Sequence, residues 1–295
     1  MIEKYYDGAI EQVAAGLGTV EKNYLLVRYS GQFSVENLND TKQLEKNEDI
    51  FVQVHEFETG EITCAYEPYL TMICDGFRRY MTGTFEEFME TCDVYYLHRP
   101  VLLGYFNQDN TGREEIILLD EVAYEQERML AALERMLCAI ADRHPVLFVL
   151  NRFQLASKST MQLTARFLKC ENCNIGLVLG VSDIQAMPEF LVPDWEMLYE
   201  TLDDGSKIYH IGNSGRKKEE TIDDEKYVDY GSEKVYRKLQ NMVEFLDFDQ
   251  AAYYLETIER KIKFDNLLVD DAARFRMWLL FVKVSILRLD IPNAL

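Results

Sequence analysis

Basic residues are in short supply. The chain of 295 residues carries 31 Lys and Arg against 51 Asp and Glu, a formal net charge of −20. A surface of that sign repels nucleic-acid phosphates and anionic lipid, because both are held by clustered Lys and Arg. The one compact basic run, Arg216-Lys217-Lys218, runs straight into Glu219 and Glu220 and suits a solvated linker. Neither a nucleic acid nor a membrane is therefore expected as a partner. Long apolar runs are missing too. The most apolar late segment, Met277 to Val282, is interrupted by Lys283 and falls short of a membrane span. The start, MIEKYYDGAIEQV, lacks a basic stretch followed by an apolar one, so no secretory leader is expected. The six cysteines are scattered in a chain too large to need disulfide staples. The expectation is a soluble, reduced, cytoplasmic protein.

Familiar site chemistry is equally thin. Cys170-Glu171-Asn172-Cys173 is a lone CxxC with no second ligand pair nearby for zinc. It follows a helix and precedes a strand, the wrong end for stabilising a thiolate. His55, His98, His144 and His210 share no metal-binding spacing. Ser30, Ser34 and Ser182 have no GxSxG context, and Asp203-Asp204-Gly205 reads as a turn rather than a calcium loop. No metal site is expected.

Hydrophobic residues make up 48% of the chain, enough for a sizeable core and, at this length, for two domains. Short apolar or β-branched runs at 23–30, 49–57, 145–150 and 174–183 read as strands, with 205–212 as a further one. Between them, 35–46, the segment AYEPYLTMICDGFRRYM, 123–143 and 157–169 read as helices. Met129, Leu130, Leu133, Met136, Leu137 and Ile140 form one stripe of the third, and Ser157 starts the fourth with a capping residue. The stretch 85–120 gives no clear pattern. Strands alternating with helices predict a mainly parallel sheet covered on both faces, with ligands at the carboxyl ends of the strands. There Ser30-Gly31, Asn151 and Ser182-Asp183 are expected to converge.

Composition shifts at 213–232, a charged stretch poor in apolar residues, and only helical periodicity follows over 233–295. Val235, Leu239, Met242, Val243 and Leu246 form one stripe, and Ala251, Leu255, Ile258 and Ile262 the next. Phe275, Trp278, Leu279, Val282, Ile286 and Leu289 form a third. LDFDQA at 246 is echoed by LDIPNA 43 residues later, a mark of stacked helical hairpins. Because such hairpins cannot bury their faces alone, the chain is expected to continue as part of a longer protein.

One frame is specific enough to name a resemblance. The stretch ERMLAALERMLCAIADRHPVLFVLNRFQLASKSTMQLTARFL, followed by NIGLVLGVSD, resembles the core of STAND-type P-loop ATPases, the AAA-related signalling ATPases found beside helical repeats in bacterial regulators. The match covers about 60 residues in detail. YLLVRYSGQF and YEPYL extend it more weakly over 1–212. The resemblance implies a three-layer α/β domain of P-loop NTPase type over 1–212, a charged linker over 213–232 and TPR-like helical repeats over 233–295.

At each position that carries the family's chemistry this sequence departs from it. A phosphate loop needs glycines, a Lys for phosphate charge and a Ser or Thr for magnesium. Here Ser30, Gly31 and Ser34 keep a loop, but Val35 stands at the Lys position and Glu36 at the Ser/Thr position. The acidic pair that ends the Walker B strand is replaced by Asn151-Arg152, and Asp183 stands where an Arg often follows the next strand. The expectation is a pseudo-ATPase without ATPase activity or bound ATP and magnesium. It would relay a signal through a protein partner or self-association, or through an unidentified small ligand. The resemblance places its output beyond the repeats, in a DNA-binding or diguanylate cyclase domain. A second reading is an ATP-binding switch that uses non-standard residues, Arg28 and Arg152 among them. A third is a structural oligomerisation platform.

Overall fold

The computed structural model describes residues 2–17, 23–29, 49–58, 61–108, 122–170, 174–182, 187–202, 208–211, 230–264 and 269–288. Its centre is a sheet of five parallel strands in the order β2-β3-β4-β1-β5. These are β1 (Tyr24–Tyr29), β2 (Phe51–Glu56), β3 (Val146–Asn151), β4 (Ile175–Ser182) and β5 (Ile208–Ile211). Every residue of β3 and β4 is buried, which is why both read as unbroken apolar runs rather than alternating ones.

Alternation along the strands sorts side chains to two faces. Leu25, Val27, Tyr29, Leu147, Val149 and Val178 pack against Ala9, Ile10 and Val13 of α1 (Ile2–Gly16). Gly176 permits that approach, since a Cβ there would lie 2.7 Å from Val13 Cγ1. Leu26, Phe148, Leu150, Leu177 and Leu179 point the other way, into the main core. That core holds α2 (Tyr69–Tyr80), α3 (Phe85–Thr91), α4 (Arg99–Asn107), α5 (Val122–Ala141), α6 (Lys158–Lys169) and α7 (Val192–Leu202). The result is an α/β fold with helices on both faces of a parallel sheet. The stripe of α5 is the centre of this packing, with Met129, Leu133, Met136, Leu137 and Ile140 all at 0% exposure.

The carboxyl-terminal helices are α8 (Glu233–Glu244), α9 (Phe248–Phe264) and α10 (Asp271–Leu287). Ser232 caps α8 and Asp270 caps α10, each through its side-chain oxygen. Leu239, Met242, Leu255, Ile258, Met277, Leu280 and Val284 form their shared core. This segment is seated on the α/β body. Phe245 enters the main core edge-on to Tyr66 and Tyr105, with ring centroids 6.2 and 5.9 Å away. Lys238 Nζ donates to Ile62 O at 2.7 Å, Ala65 N to Asn241 Oδ1 at 3.2 Å, and Gln126 Nε2 to Leu246 O at 2.6 Å.

One predicted stripe is corrected. α10 buries Ala273, Met277, Leu280 and Val284, whereas Phe275, Trp278, Leu279 and Ile286 face solvent. The helix is apolar on both sides, so sequence periodicity alone picks out the bulkier stripe and not the one that packs. Leu289 and the 213–229 part of the linker lie outside the described residues. No described helix is long and apolar enough to cross a membrane.

Candidate functional site

The carboxyl ends of β1, β4 and β3 lie side by side, and their last residues on the α1 face are polar. Tyr29 ends β1 opposite Ser182 of β4, and Asn151 ends β3 opposite Glu56 of β2. The Tyr29 hydroxyl reaches across β4 and donates to Asn151 Oδ1 at 2.7 Å. Both residues are shut off from solvent, at 1% and 0% exposure. Burial pushes the Tyr29 phenol up to about 12, so it remains a neutral donor at physiological pH. Arg152 then turns the chain out of the sheet with left-handed backbone angles (φ 52°, ψ 42°). Its Nη2 lies 3.3 Å from Glu56 Oε1.

The turn that follows is pinned from below. Gln154, in the 3-10 turn Phe153–Leu155, donates to Ser182 O at 3.1 Å and accepts from Ser182 N at 3.4 Å. Its amide thus caps the end of β4 with a two-point contact and itself stays buried. The loop from Asn151 to Ser157 is therefore held by side chains from β1 and β2 and by the backbone at the end of β4.

Of the residues singled out from the sequence, Asn151, Arg152 and Ser182 come together in this network. Ser30, Gly31, Ser34, Val35, Glu36 and Asp183 lie outside the described residues. Arg28 does not join. It alternates with Tyr29 toward the opposite face, where its guanidinium sits 5.8 Å from the ring centroid of Tyr199 on α7. The alternative nucleotide switch named Arg28 and Arg152 together, and here a single step along the strand sets Arg28 on the other face of the sheet. Sequence reasoning missed Tyr29, Glu56 and Gln154. The signal available for the first two was their place as the last residues of apolar strands.

Chemically the network offers an amide, a neutral phenol and a guanidinium already matched to a carboxylate. Among the described residues no group of three or more His, Cys, Asp or Glu side chains is arranged to hold a metal ion. Cys170 caps the end of α6, and Cys173 lies outside the described residues.

The same loop leads into a second polar contact. Ser157 caps α6 and accepts from Thr160 N at 3.2 Å. The next two backbone N–H groups are taken by the turn between α8 and α9 and by the first turn of α9. Lys158 N donates to Gln250 Oε1 at 3.2 Å and Ser159 N donates to Asp247 Oδ2 at 3.1 Å. Lys158 Nζ also bonds Asp249. Asp247 is 5% exposed, and burial raises its carboxyl to about 6 despite the Ser159 donors and the nearby Lys158 charge. A chain of direct contacts thus runs from the strand ends, through the first turn of α6, to the helical segment.

Two further features lie apart from this chain. A cavity of about 460 Å³ separates α2 and α4 from α8, lined by Thr71, Cys74, Arg78, Tyr105, Arg237 and Glu244 among others. Its size suits a small molecule. Its guanidinium groups are already engaged, Arg78 with Asp75 at 3.2 Å and Arg237 with Glu233 at 3.3 Å. Elsewhere, buried His98 at the start of α4 lies 3.1 Å from Glu125 Oε2 of α5, and Arg128 lies 3.3 Å from the other carboxylate oxygen. Tyr95 and Tyr124 stack on the Arg128 guanidinium at 3.9 and 4.2 Å, closing a charge cluster that ties α4 to α5. No protein-family model matches this chain, and no curated protein matches it in sequence.

Proposed function

We propose that this chain is a non-catalytic regulatory module, a pseudo-ATPase built on the frame of a STAND-type P-loop ATPase, which works through protein contacts. The observation that carries the reading is the self-satisfied polar network at the strand ends. Where an ATPase of this kind keeps carboxylates for magnesium and water, Asn151 accepts from Tyr29 and Arg152 is matched to Glu56. An amide has no charge to hold magnesium and is a poor base. The sheet order is compatible with that frame: β4 alone lies between the strand entering the Ser-Gly loop and the strand ending Asn151, so their carboxyl ends open on the same edge of the sheet. The helical segment, which we read as the start of TPR-like hairpins, grips the first turn of α6. That contact suits a relay between the strand ends and whatever the hairpins control, such as a DNA-binding or diguanylate cyclase output.

A second reading, a nucleotide switch with non-standard residues, draws on one observation. The Arg152 side chain retains 25% exposure at a strand end and could exchange Glu56 for a phosphate. Calorimetric titration with ATP, with and without Mg²⁺ and up to millimolar nucleotide, separates the two. The regulatory reading expects no heat and no thermal stabilisation, since any ligand specific for the folded state raises its stability by mass action. Micromolar binding that weakens in Arg152→Ala would overturn it.

A further inference from the structure

The outward face of α10 is the largest run of exposed bulky side chains on any described helix. Phe275, Trp278, Leu279 and Ile286 are 58%, 55%, 48% and 46% exposed, with half-buried Val282 between them. Phe275 and Trp278 stack on each other with ring centroids 6.2 Å apart and planes 25° apart. At about 100° per residue this stripe spans about 100° of the helix, the width that helix packing uses. It is directly opposite the face that packs on α8 and α9, so α10 is apolar toward its own core and apolar toward solvent. Contiguous exposed apolar area of this kind marks an interaction surface.

Charge on its borders says what fits. Arg274 lies about 40° beyond one edge of the stripe and Lys283 about 40° beyond the other. The helix carries Arg274, Arg276 and Lys283 against the single acid Asp271, in a chain whose net charge is −20. Arg276 is paired with Glu233 at 2.8 Å, and Arg288, just past the helix, with Asp249 at 3.0 Å. Arg274 and Lys283 have no carboxylate partner among the described residues. We propose that this face docks an amphipathic helix of a partner protein whose apolar stripe is bordered by Asp and Glu. The proposal rests on the regulatory reading in taking a protein as the occupant, and it names the partner's chemistry. A second copy seated α10 to α10 would set like charges against each other along both borders. An anionic bilayer would meet two cations here but also the strongly acidic body behind them.

The test uses the whole chain without nucleotide. Two synthetic helical peptides are compared, each with a leucine stripe, one bordered by Glu and the other by Lys. Binding is followed by fluorescence anisotropy of the labelled peptides at low and high salt. The Glu-bordered peptide is expected to bind saturably and to weaken with salt, while the Lys-bordered peptide binds at least tenfold more weakly. Trp278→Ala should weaken the Glu-bordered peptide by about tenfold or more. Arg274→Glu with Lys283→Glu should invert the preference. All three positions are exposed, and an unchanged circular dichroism melt confirms that each variant folds. Equal binding of both peptides, binding of neither, or an uninverted preference in the charge-swapped variant overturns the proposal. A dimer in sedimentation that Trp278→Ala dissolves assigns the face to a second copy, and binding to phosphatidylserine vesicles but not to peptide assigns it to lipid. Either result also overturns the proposal. So does a Trp278 emission already buried in the free chain, which would mean the chain covers its own face. Nucleotide binding would sink the pseudo-ATPase reading and leave these results standing, whereas failure here leaves that reading in need of a different surface.

Discussion

Asp247→Asn decides between two opposing forces on one carboxylate. Asp247 sits at the first turn of α6, where the helix dipole and Lys158 favour a negative charge. It is also buried, which disfavours that charge. A carboxyl moved from 3.8 to about 6 has an ionised form that is costlier in the folded protein by about 3 kcal/mol. The sign follows from linkage. The folded state holds its proton more tightly than the unfolded state, so Asp247 contributes its stability below about pH 4 and loses it as pH rises through about 6. Asparagine keeps the oxygen that accepts from Ser159 N and removes the ionisation. The stability difference between Asp247→Asn and the parent should therefore be close to zero at pH 4. It should grow to about 3 kcal/mol in favour of the variant by pH 7.5. Urea unfolding of both proteins at half-unit steps from pH 4 to 8 measures it, and the subtraction cancels every other titrating group. A variant less stable than the parent at pH 7.5, by an amount that fades toward acid, would mean that the dipole and Lys158 outweigh burial. That result would refute the argument.

Three other outcomes follow from the packing. Tyr29→Phe removes the phenol that donates to buried Asn151 and should cost about 1–3 kcal/mol by urea unfolding, with little change in the cooperativity of the transition. Gly176→Ala should cost about 1–3 kcal/mol because its Cβ meets Val13 Cγ1 at 2.7 Å, and Val13→Ala in the same chain should recover part of that loss. Burial pushes the thiols of Cys64 and Cys74 up to about 12 and that of Cys92 to about 11, so these three should resist a maleimide at pH 7.5 in the native protein and react fully in urea. Fast native labelling of any of them, mapped by mass spectrometry, would contradict that.

What the sequence revealed depended on how local the signal was. β3, β4, α5 and α6 stand out because each is a continuous apolar run or a long stripe behind a capping residue, and Ser157 does cap α6. The stretch 85–120 gave no pattern because α3 and α4 are only 7 and 9 residues long, too short for a period of 3.6 to establish itself. A sharper local sign was present at Thr84-Phe85-Glu86-Glu87, where Thr84 and Glu87 form a capping box at the start of α3. The candidate site was half legible. Asn151 and Arg152 are visible as departures from a known frame, but their partners are set by tertiary distance, Tyr29 lying 122 residues from Asn151. Asp247 lies in the echoed LDFDQA stretch, yet nothing nearby in sequence shows that it accepts from a backbone N–H of a helix 88 residues earlier.

Those two distant contacts hold opposite ends of one short connection, and that arrangement bears on whether the module can relay anything. Tyr29 and Glu56 fix the chain where it leaves β3, and Asp247, Asp249 and Gln250 fix it where α6 begins. Between them Gln154 ties the turn to β4, so the segment has little freedom to absorb a displacement at either end. A double-mutant cycle of Tyr29→Phe with Asp247→Ala at pH 7.5, the second change removing the oxygen that accepts from Ser159 N, measures how stiff it is. Sites without a shared partner add to within about 0.3–0.5 kcal/mol. A relay through this segment requires an interaction energy above that range, since loosening one end must alter what the other contact is worth. If the two changes simply add, the strand ends and the helical segment are energetically separate. The sequence-distant contacts described here then serve only to hold the fold together.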